Sequence, residues 1–391
     1  MKKRYSIVAI VLVIVIAVTY YLLPKNRDRT LINGIENFEP ISSDNTNYFL
    51  FYPADIRVSQ ENTIVKEVTI DGKIVQEYEI EDKYFRRMSV HQKPNSIDKL
   101  YISLFGEATI DNYYYIYDIP TKQFDRVKLD YFDYEVGVDH IMHYGESVLF
   151  QTLVSHKTGE QNNDSETNEF NVSISNFTSK KSFETEYGNP PKWTPLLEFN
   201  NKILYGTSGQ YGDHDKYVNS GIGVIDLEDQ SVKYMNSGKN ADMYPLYATE
   251  EHAFVLGEAG KVISYDKNFE FNIYEPFKGM SKEDIFFNDE SSQLLIDNNR
   301  ALYHVYSPEK GSIIGLMTYE PEPEFEPLNK EYLEQDSNYR FLYQDTENGE
   351  IYIVNSNEKE EKLLIIDNTS FDLKAEIPIE NSHLLDFVVK N

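Results

Sequence analysis

Seven strand–turn–strand stretches recur along the 391-residue chain at a mean spacing of about 49 residues. A C-terminal strand candidate, "HLLDFVVK" (383–390), has no pairing segment after it. Beyond the first thirty residues no long stretch shows helical periodicity. These observations predict an all-β fold: a seven-bladed β-propeller of four-stranded blades, its ring closed by a C-terminal strand completing blade one, with one N-terminal transmembrane helix.

The N-terminal element comes first. Residues 6–23, "SIVAIVLVIVIAVTYYLL", carry no charge. As a helix rising about 1.5 Å per residue, this run just crosses a hydrocarbon core of about 30 Å. Lys2, Lys3 and Arg4 precede it and hold that end in the cytoplasm, although Lys25, Arg27 and Arg29 beyond it reduce the asymmetry. The competing reading is a cleaved signal peptide, but the stretch after the apolar run lacks a small-x-small cleavage site. With no cysteine, the chain has neither a lipidation site of the lipobox kind nor a disulfide framework. The expected organisation is a cytoplasmic tail at 1–5, a signal anchor at 6–23, a linker at 24–45 and the propeller at 46–391. The expected location is a bacterial cell membrane, crossed once, with the propeller outside the cytoplasm.

The seven repeats are "VTIDGKIVQEYEI" (68–80), "YIYDIPTKQFDRVKL" (115–129), "VSISNFTSKKSFETEY" (172–187), "IGVIDLEDQSVKYM" (222–235), "VISYDKNFEFNIY" (262–274), "YHVYSPEKGSIIGLM" (303–317) and "LLIIDNTSFDLKAEI" (363–377). Each places Asp, Asn or Ser between two runs of β-formers, where the short side chain can bond the turn backbone. The turn residues are Asp71, Asp118, Asn176, Asp226, Asp266, Ser307 and Asp367. Each pair reads as the third and outer strands of a blade. Two further strand candidates precede each pair, for example "YFRRMSV" (84–90) and "KLYISLF" (99–105). In the sixth unit these are "DIFFND" and "QLLID". The first unit lacks its inner strand: "NYFLFYPADI" (47–56) is already a second strand. Residues 383–390 fill that gap and remove an exposed sheet edge. The repeats resemble the seven-bladed propellers of the YVTN and quinoprotein-like type, and more loosely TolB-type and WD40 propellers. The resemblance covers about residues 46–390. It implies a central channel and no particular activity.

Antiparallel order puts the connections between second and third strands, and those between blades, at one end of the ring. Three long insertions are expected there: 155–169, 207–220 and 319–338. Loops of this length are uncommon unless they have a task. "EPEPEFEP" (320–327) reads as a stiff, solvated, polyproline-like acidic arm. The expected partner-binding residues are therefore Glu320, Glu322, Glu324, Phe325 and Glu326, with Tyr211 in the second insertion and Trp193 at the rim beside it.

Without residues 1–30 the chain carries 31 Lys and Arg against 64 Asp and Glu, a net charge of −33. Such a domain repels nucleic acid and anionic lipid surfaces. "YGDHDKY" brings Asp213, His214 and Asp215 together as the candidate metal donors, short of the six to eight oxygens (roughly) that calcium takes. No nucleophile elbow, phosphate loop or zinc-binding spacing occurs, so no catalytic residue and no cofactor is expected. The expected function is a membrane-anchored extracytoplasmic scaffold that binds a protein or envelope component through the face carrying the three insertions. The alternative is an extracytoplasmic hydrolase or lyase with its site at the channel mouth.

Overall fold

The computed structural model describes residues 29–39, 48–55, 58–92, 98–104, 113–130, 136–144, 147–157, 168–176, 181–184, 196–207, 210–211, 217–218, 221–226, 228–229, 231–236, 243–257, 260–278, 280 and 292–391. The expected anchor, 6–23, lies outside them. Among the described residues no helix is long and apolar enough to cross a membrane.

The chain forms an all-β propeller. Going round it, the second sheet is Met88–His91, Lys99–Leu104, Tyr113–Asp118 and Gln123–Lys128. The third is Val136–Tyr144, Ser147–Lys157, Asn168–Asn176 and Lys181–Glu184, and the fourth is Leu197–Phe199, Lys202–Thr207, Gly221–Asp226 and Ser231–Asn236. The fifth comprises Tyr244–Ala248, Ala253–Leu256, Val262–Tyr265 and Phe271–Tyr274; the sixth, Gln293–Leu295, Arg300–Ser307, Gly311–Thr318 and Glu324–Pro327. The seventh is Asn338–Asp345, Glu350–Ser356, Glu361–Asp367 and Leu373–Pro378. In each, consecutive strands pair antiparallel. A separate ribbon, Gln210–Tyr211 with Tyr217–Val218, rises from the fourth sheet's middle connection.

The first sheet is assembled from both ends of the chain. Tyr48–Tyr52, Thr63–Val68 and Ile74–Glu81 form its outer part, and Phe387–Lys390 supplies the inner strand, with Tyr48 opposite Lys390 and Phe51 opposite Phe387. The expected closure by the C-terminal strand is therefore what the chain does. The inner strands of the second and third, the fourth and fifth, and the sixth and seventh sheets touch one another.

What holds the ring is apolar packing between successive sheets. One cluster joins the seventh, first and second sheets. Others join second to third, third to fourth, fourth to fifth, fifth to sixth and sixth to seventh. At the closing junction Phe387 lies 5.6 Å from Phe51 and 5.1 Å from Tyr117, ring centre to ring centre. Full burial of one such ring contributes about 3 kcal/mol. Closure is therefore driven largely by Phe387, Val388 and Val389, all buried.

Three expectations are corrected. First, part of the segment 24–45 is not a linker. Thr30–Asn33 adds a parallel fifth strand outside Ile74–Glu81. Ile35 and Phe38 are 0% and 1% exposed, and the Phe38 ring packs edge-on against Phe49, Phe51 and Tyr78. These apolar residues leave water only by docking on the first sheet.

Second, the sixth repeat is displaced by one strand. The hairpin around Ser307 joins the second and third strands, not the third and fourth. "QLL" is the inner strand rather than the second, and "DIFFND" lies outside the described residues. The tight turn Asp297–Arg300, in which Asp297 accepts from Asn299 N–H and the Arg300 guanidinium, separates two strands that read as one irregular stretch.

Third, 319–338 is not a projecting arm. Glu324–Pro327 is the sixth sheet's outer strand, with Met317 opposite Phe325. Proline lacks the N–H that an inner strand needs, but an outer edge has no partner to receive it. Pro323 and Phe325 face inward while Glu324 and Glu326 face water. The Phe325 ring covers Gly315, where a Cβ would stand 2.3 Å from it. The remaining residues, 328–337, are tied to the seventh sheet: Tyr332 donates to the Phe371 carbonyl at 2.6 Å and Lys330 pairs with Asp372 at 2.8 Å.

Candidate functional site

The strand order gives the ring two mouths. Connections between second and third strands and between sheets gather at the upper mouth; the other turns gather at the lower one. A cavity of about 440 Å³ opens at the upper mouth, where the seventh, first and second sheets meet. Asp55 and Val58 reach it from the first sheet's middle connection, and Arg87 from just before the second sheet's inner strand. Arg340 and Ser356 come from the seventh sheet, and His383 from the turn that leads into the closing strand.

One carboxylate organises the wall. Asp386, with its side chain 1% exposed, receives Arg87 Nε at 2.6 Å and Nη2 at 2.9 Å, and the Met88 backbone N–H at 3.0 Å. Arg340 Nη1 donates to Oδ1, which Arg87 Nη2 also reaches, at 3.3 Å, while Arg340 Nη2 donates to the carbonyls of Ser382 and Leu385 at 3.0 and 2.6 Å. Arg87 Nη1 also faces Asp55 at 3.4 Å. The closing turn is pinned from its far side by Glu361, which accepts from the Ser382 N–H and hydroxyl at 3.1 and 2.9 Å. Two guanidiniums, one beside the second sheet and one in the seventh, are thus held by acceptors of the first sheet and its closing turn. Charge-assisted, two-point contacts of this kind are the strongest polar contacts a chain can make.

At the lower mouth a paired group fills the junction of the seventh and first sheets. Lys390 pairs with Glu350, whose carboxylate also receives the Tyr48 hydroxyl at 3.3 Å and the Tyr352 hydroxyl at 3.2 Å. Tyr352 reaches Asp345 as well, at 3.1 Å. Burial, and then the Glu350 charge, push the Tyr48 hydroxyl well above its ordinary range, so it remains a donor. The cavity beside this group holds about 20 Å³, room for roughly one water molecule.

The residues singled out in the sequence are scattered. Trp193, Asp213, His214 and Asp215 lie outside the described residues. Tyr211 stands in the small ribbon, opposite Tyr217. Glu320 sits at the lower side, where it accepts from the Thr249 hydroxyl and lies 3.1 Å from His252 Nδ1. The Thr249 hydroxyl first, and His252 after it, hold its carboxyl below the ordinary range. Glu322 and Glu326 are exposed, Glu324 pairs with Lys278 in the open, and Phe325 is buried. Among the described residues no three His, Asp or Glu side chains are arranged to hold a metal ion. Sequence reading missed Arg87, Arg340 and Asp386. The one available signal was an aspartate inside the apolar closing segment "LLDFVVK".

No protein-family model matches the sequence, and no curated protein matches it. Solved structures do. A puromycin hydrolase mutant complexed with PGG is 8% identical over 92% of this chain and 55% of that one, with a TM-score of 0.52. The shared fold is a β-propeller. Apo AztD from Citrobacter koseri is 11% identical over 88% of this chain and 98% of that one, with a TM-score of 0.41. TolB from Acinetobacter baumannii is 12% identical over 74% of this chain and 66% of that one, at 0.36. At these identities the likeness is one of fold, and this chain spans about half the length of the hydrolase.

Proposed function

We propose that the chain is a membrane-anchored, extracytoplasmic propeller of seven blades that binds a protein or cell-envelope component at its upper mouth. The blade number is supported by the seven sheets that each contain four consecutive neighbours. Anchoring is supported by the uncharged run 6–23 and the basic residues before it. The observation that carries the binding role is the cavity between the seventh, first and second sheets. Its charged side chains are immobilised before any ligand arrives, which lowers the ordering cost of binding. The strands Ser147–Lys157 and Lys202–Thr207 of the third and fourth sheets end toward the same mouth.

The test uses the full chain in detergent. Immobilised wild type recovers a partner from solubilised envelopes, and Ser356→Phe, which puts a large side chain into the cavity, recovers much less. Equal recovery by both proteins removes the cavity from the binding surface. Fractionation tests the anchor separately: the full chain sediments with membranes and a chain starting at Arg29 does not.

A further inference from the structure

We propose that the outer corner of the first sheet rests on a lipid surface, with Ile70, Val75 and Leu31 as the side chains that enter the headgroup region. This rests on the reading of residues 6–23 as a membrane anchor, and it names the part of the domain that meets that membrane.

Three exposed apolar side chains mark the corner. Leu31, Ile70 and Val75 are 60%, 49% and 42% exposed. Eight large hydrophobic residues are exposed among the described residues, and these three belong to one outer hairpin and the strand added to it. Each stands out for a local reason. Ile70 is the second residue of the turn between Thr63–Val68 and Ile74–Glu81, where the Gly72 N–H donates to the Thr69 carbonyl at 2.9 Å. Turn positions ordinarily take polar residues, glycine or proline. Val75 is the extra residue of a bulge: Glu67 faces Gln76 and Val68 faces Ile74, so the ladder skips it. Bulges re-aim a side chain. Leu31 lies opposite Glu79 on the outermost strand, whereas its neighbour Ile32 packs against the core. The tip of the hairpin is braced from behind. A Cβ on Gly72 would stand 2.9 Å from the Pro378 ring of the seventh sheet.

Chain length decides what covers this corner. The added strand runs parallel to Ile74–Glu81, with Thr30 opposite Tyr78 and Asn33 opposite Glu81. Followed back toward the N-terminus it heads for the hairpin tip, and Arg29 reaches Glu77 at 3.2 Å. Residues 24–28 alone separate Arg29 from the end of the apolar run at Leu23. Six residue steps cover at most about 20 Å. The strand from Glu77 back to the tip covers about the same length. A membrane span ending at Leu23 therefore holds the tip close to the lipid surface.

Charge agrees with this placement. Residues 24–29 carry Lys25, Arg27 and Arg29 against Asp28, and the turn 69–73 is neutral, with Lys73 two residues from Asp71. The chain beyond residue 30 is strongly negative, so an anionic leaflet repels most of the domain and tolerates this corner. Exposed apolar side chains grouped in this way mark interaction surfaces, and a lipid interface takes them without a matching protein groove.

The experiment uses the full chain in vesicles of phosphatidylcholine and phosphatidylglycerol. The chain has no cysteine, so Ile70→Cys, Val75→Cys and Phe271→Cys each create a single labelling site. Phe271 is the control, exposed on the outer strand of the fifth sheet. Each site carries an environment-sensitive fluorophore, and the vesicles contain lipids with a nitroxide near the headgroup. Labels at 70 and 75 emit at shorter wavelength than the label at 271. They are also quenched at least about twofold more, because interfacial side chains lie about 5–10 Å into the headgroup boundary. Ile70→Glu brings the quenching at 75 down toward that of the control. Quenching at 70 and 75 no greater than at 271, in protein that floats with the vesicles, overturns the proposal and leaves the anchor standing. A shorter emission wavelength without nitroxide quenching shows that protein covers the corner, and overturns it too. A full chain that does not float with the vesicles overturns the anchor itself, and this proposal with it.

Discussion

Arg87 and Asp386 stand 299 residues apart in the chain and are joined by two hydrogen bonds, of 2.6 and 2.9 Å. The pair clamps the start of the closing strand to the second sheet, and Arg340 clamps the same carboxylate to the seventh. Asp386→Ala leaves two partly buried guanidiniums without their shared anion. Breaking a buried pair from one side costs about 3–5 kcal/mol. The midpoint of urea unfolding should fall accordingly. A loss under about 1 kcal/mol would mean that apolar packing of Phe387 alone holds the ring shut.

Phe38 predicts how far the folded unit extends. It is 1% exposed and touches three other rings. Phe38→Ala should destabilise the protein by about 3–5 kcal/mol, the ordinary cost of emptying an aromatic site. A chain starting at residue 46 should melt well below one starting at residue 29. Equal melting temperatures would return this segment to the status of a tether.

The outer strand of the sixth sheet separates inward from outward residues. Phe325→Ala should cost about 3 kcal/mol, because the ring covers Gly315 and packs 4.9 Å from Phe277. Glu322→Ala and Glu326→Ala should change stability by less than about 0.5 kcal/mol. Thermal melts of the three variants decide this. If all three are neutral, residues 324–327 do not hold a strand in solution.

Asp367 gives a pH signature at the lower side of the seventh sheet. Its carboxylate accepts from the N–H groups of Ser370 and Thr369, both at 2.9 Å, which with Lys374 nearby lowers its pKa to about 2. The folded value is depressed, so the stabilisation is complete above the unfolded value of about 4 and is lost as pH falls through about 2. Comparing wild type with Asp367→Asn should show a stability difference at neutral pH that shrinks between about pH 4 and pH 2. A difference that is constant across this window would trace the effect to the turn's geometry and not to its charge.

Most of the strand plan was legible because it is written locally. Alternating apolar residues, short polar turns and a spacing in the forties define strands and their order. The sixth sheet shows where this fails. The turn Asp297–Arg300 and the proline-rich edge strand 324–327 carry weak local signals, so the repeat was placed one strand out of step. Phe38 and Ile35 failed differently: an apolar residue in a short irregular segment gives no period, and only a docking surface explains it.

By itself, the sequence determined that this protein is built of antiparallel strands in succession and that residues 383–390 must complete the first sheet. Both follow from period and from counting unpaired strands. Only the tertiary structure decided where the upper cavity lies and which side chains line it. Arg87, Arg340 and Asp386 sit in locally ordinary strands and turns. They meet because closure brings the two ends of the chain together, and pairing across 299 residues leaves no trace in local periodicity.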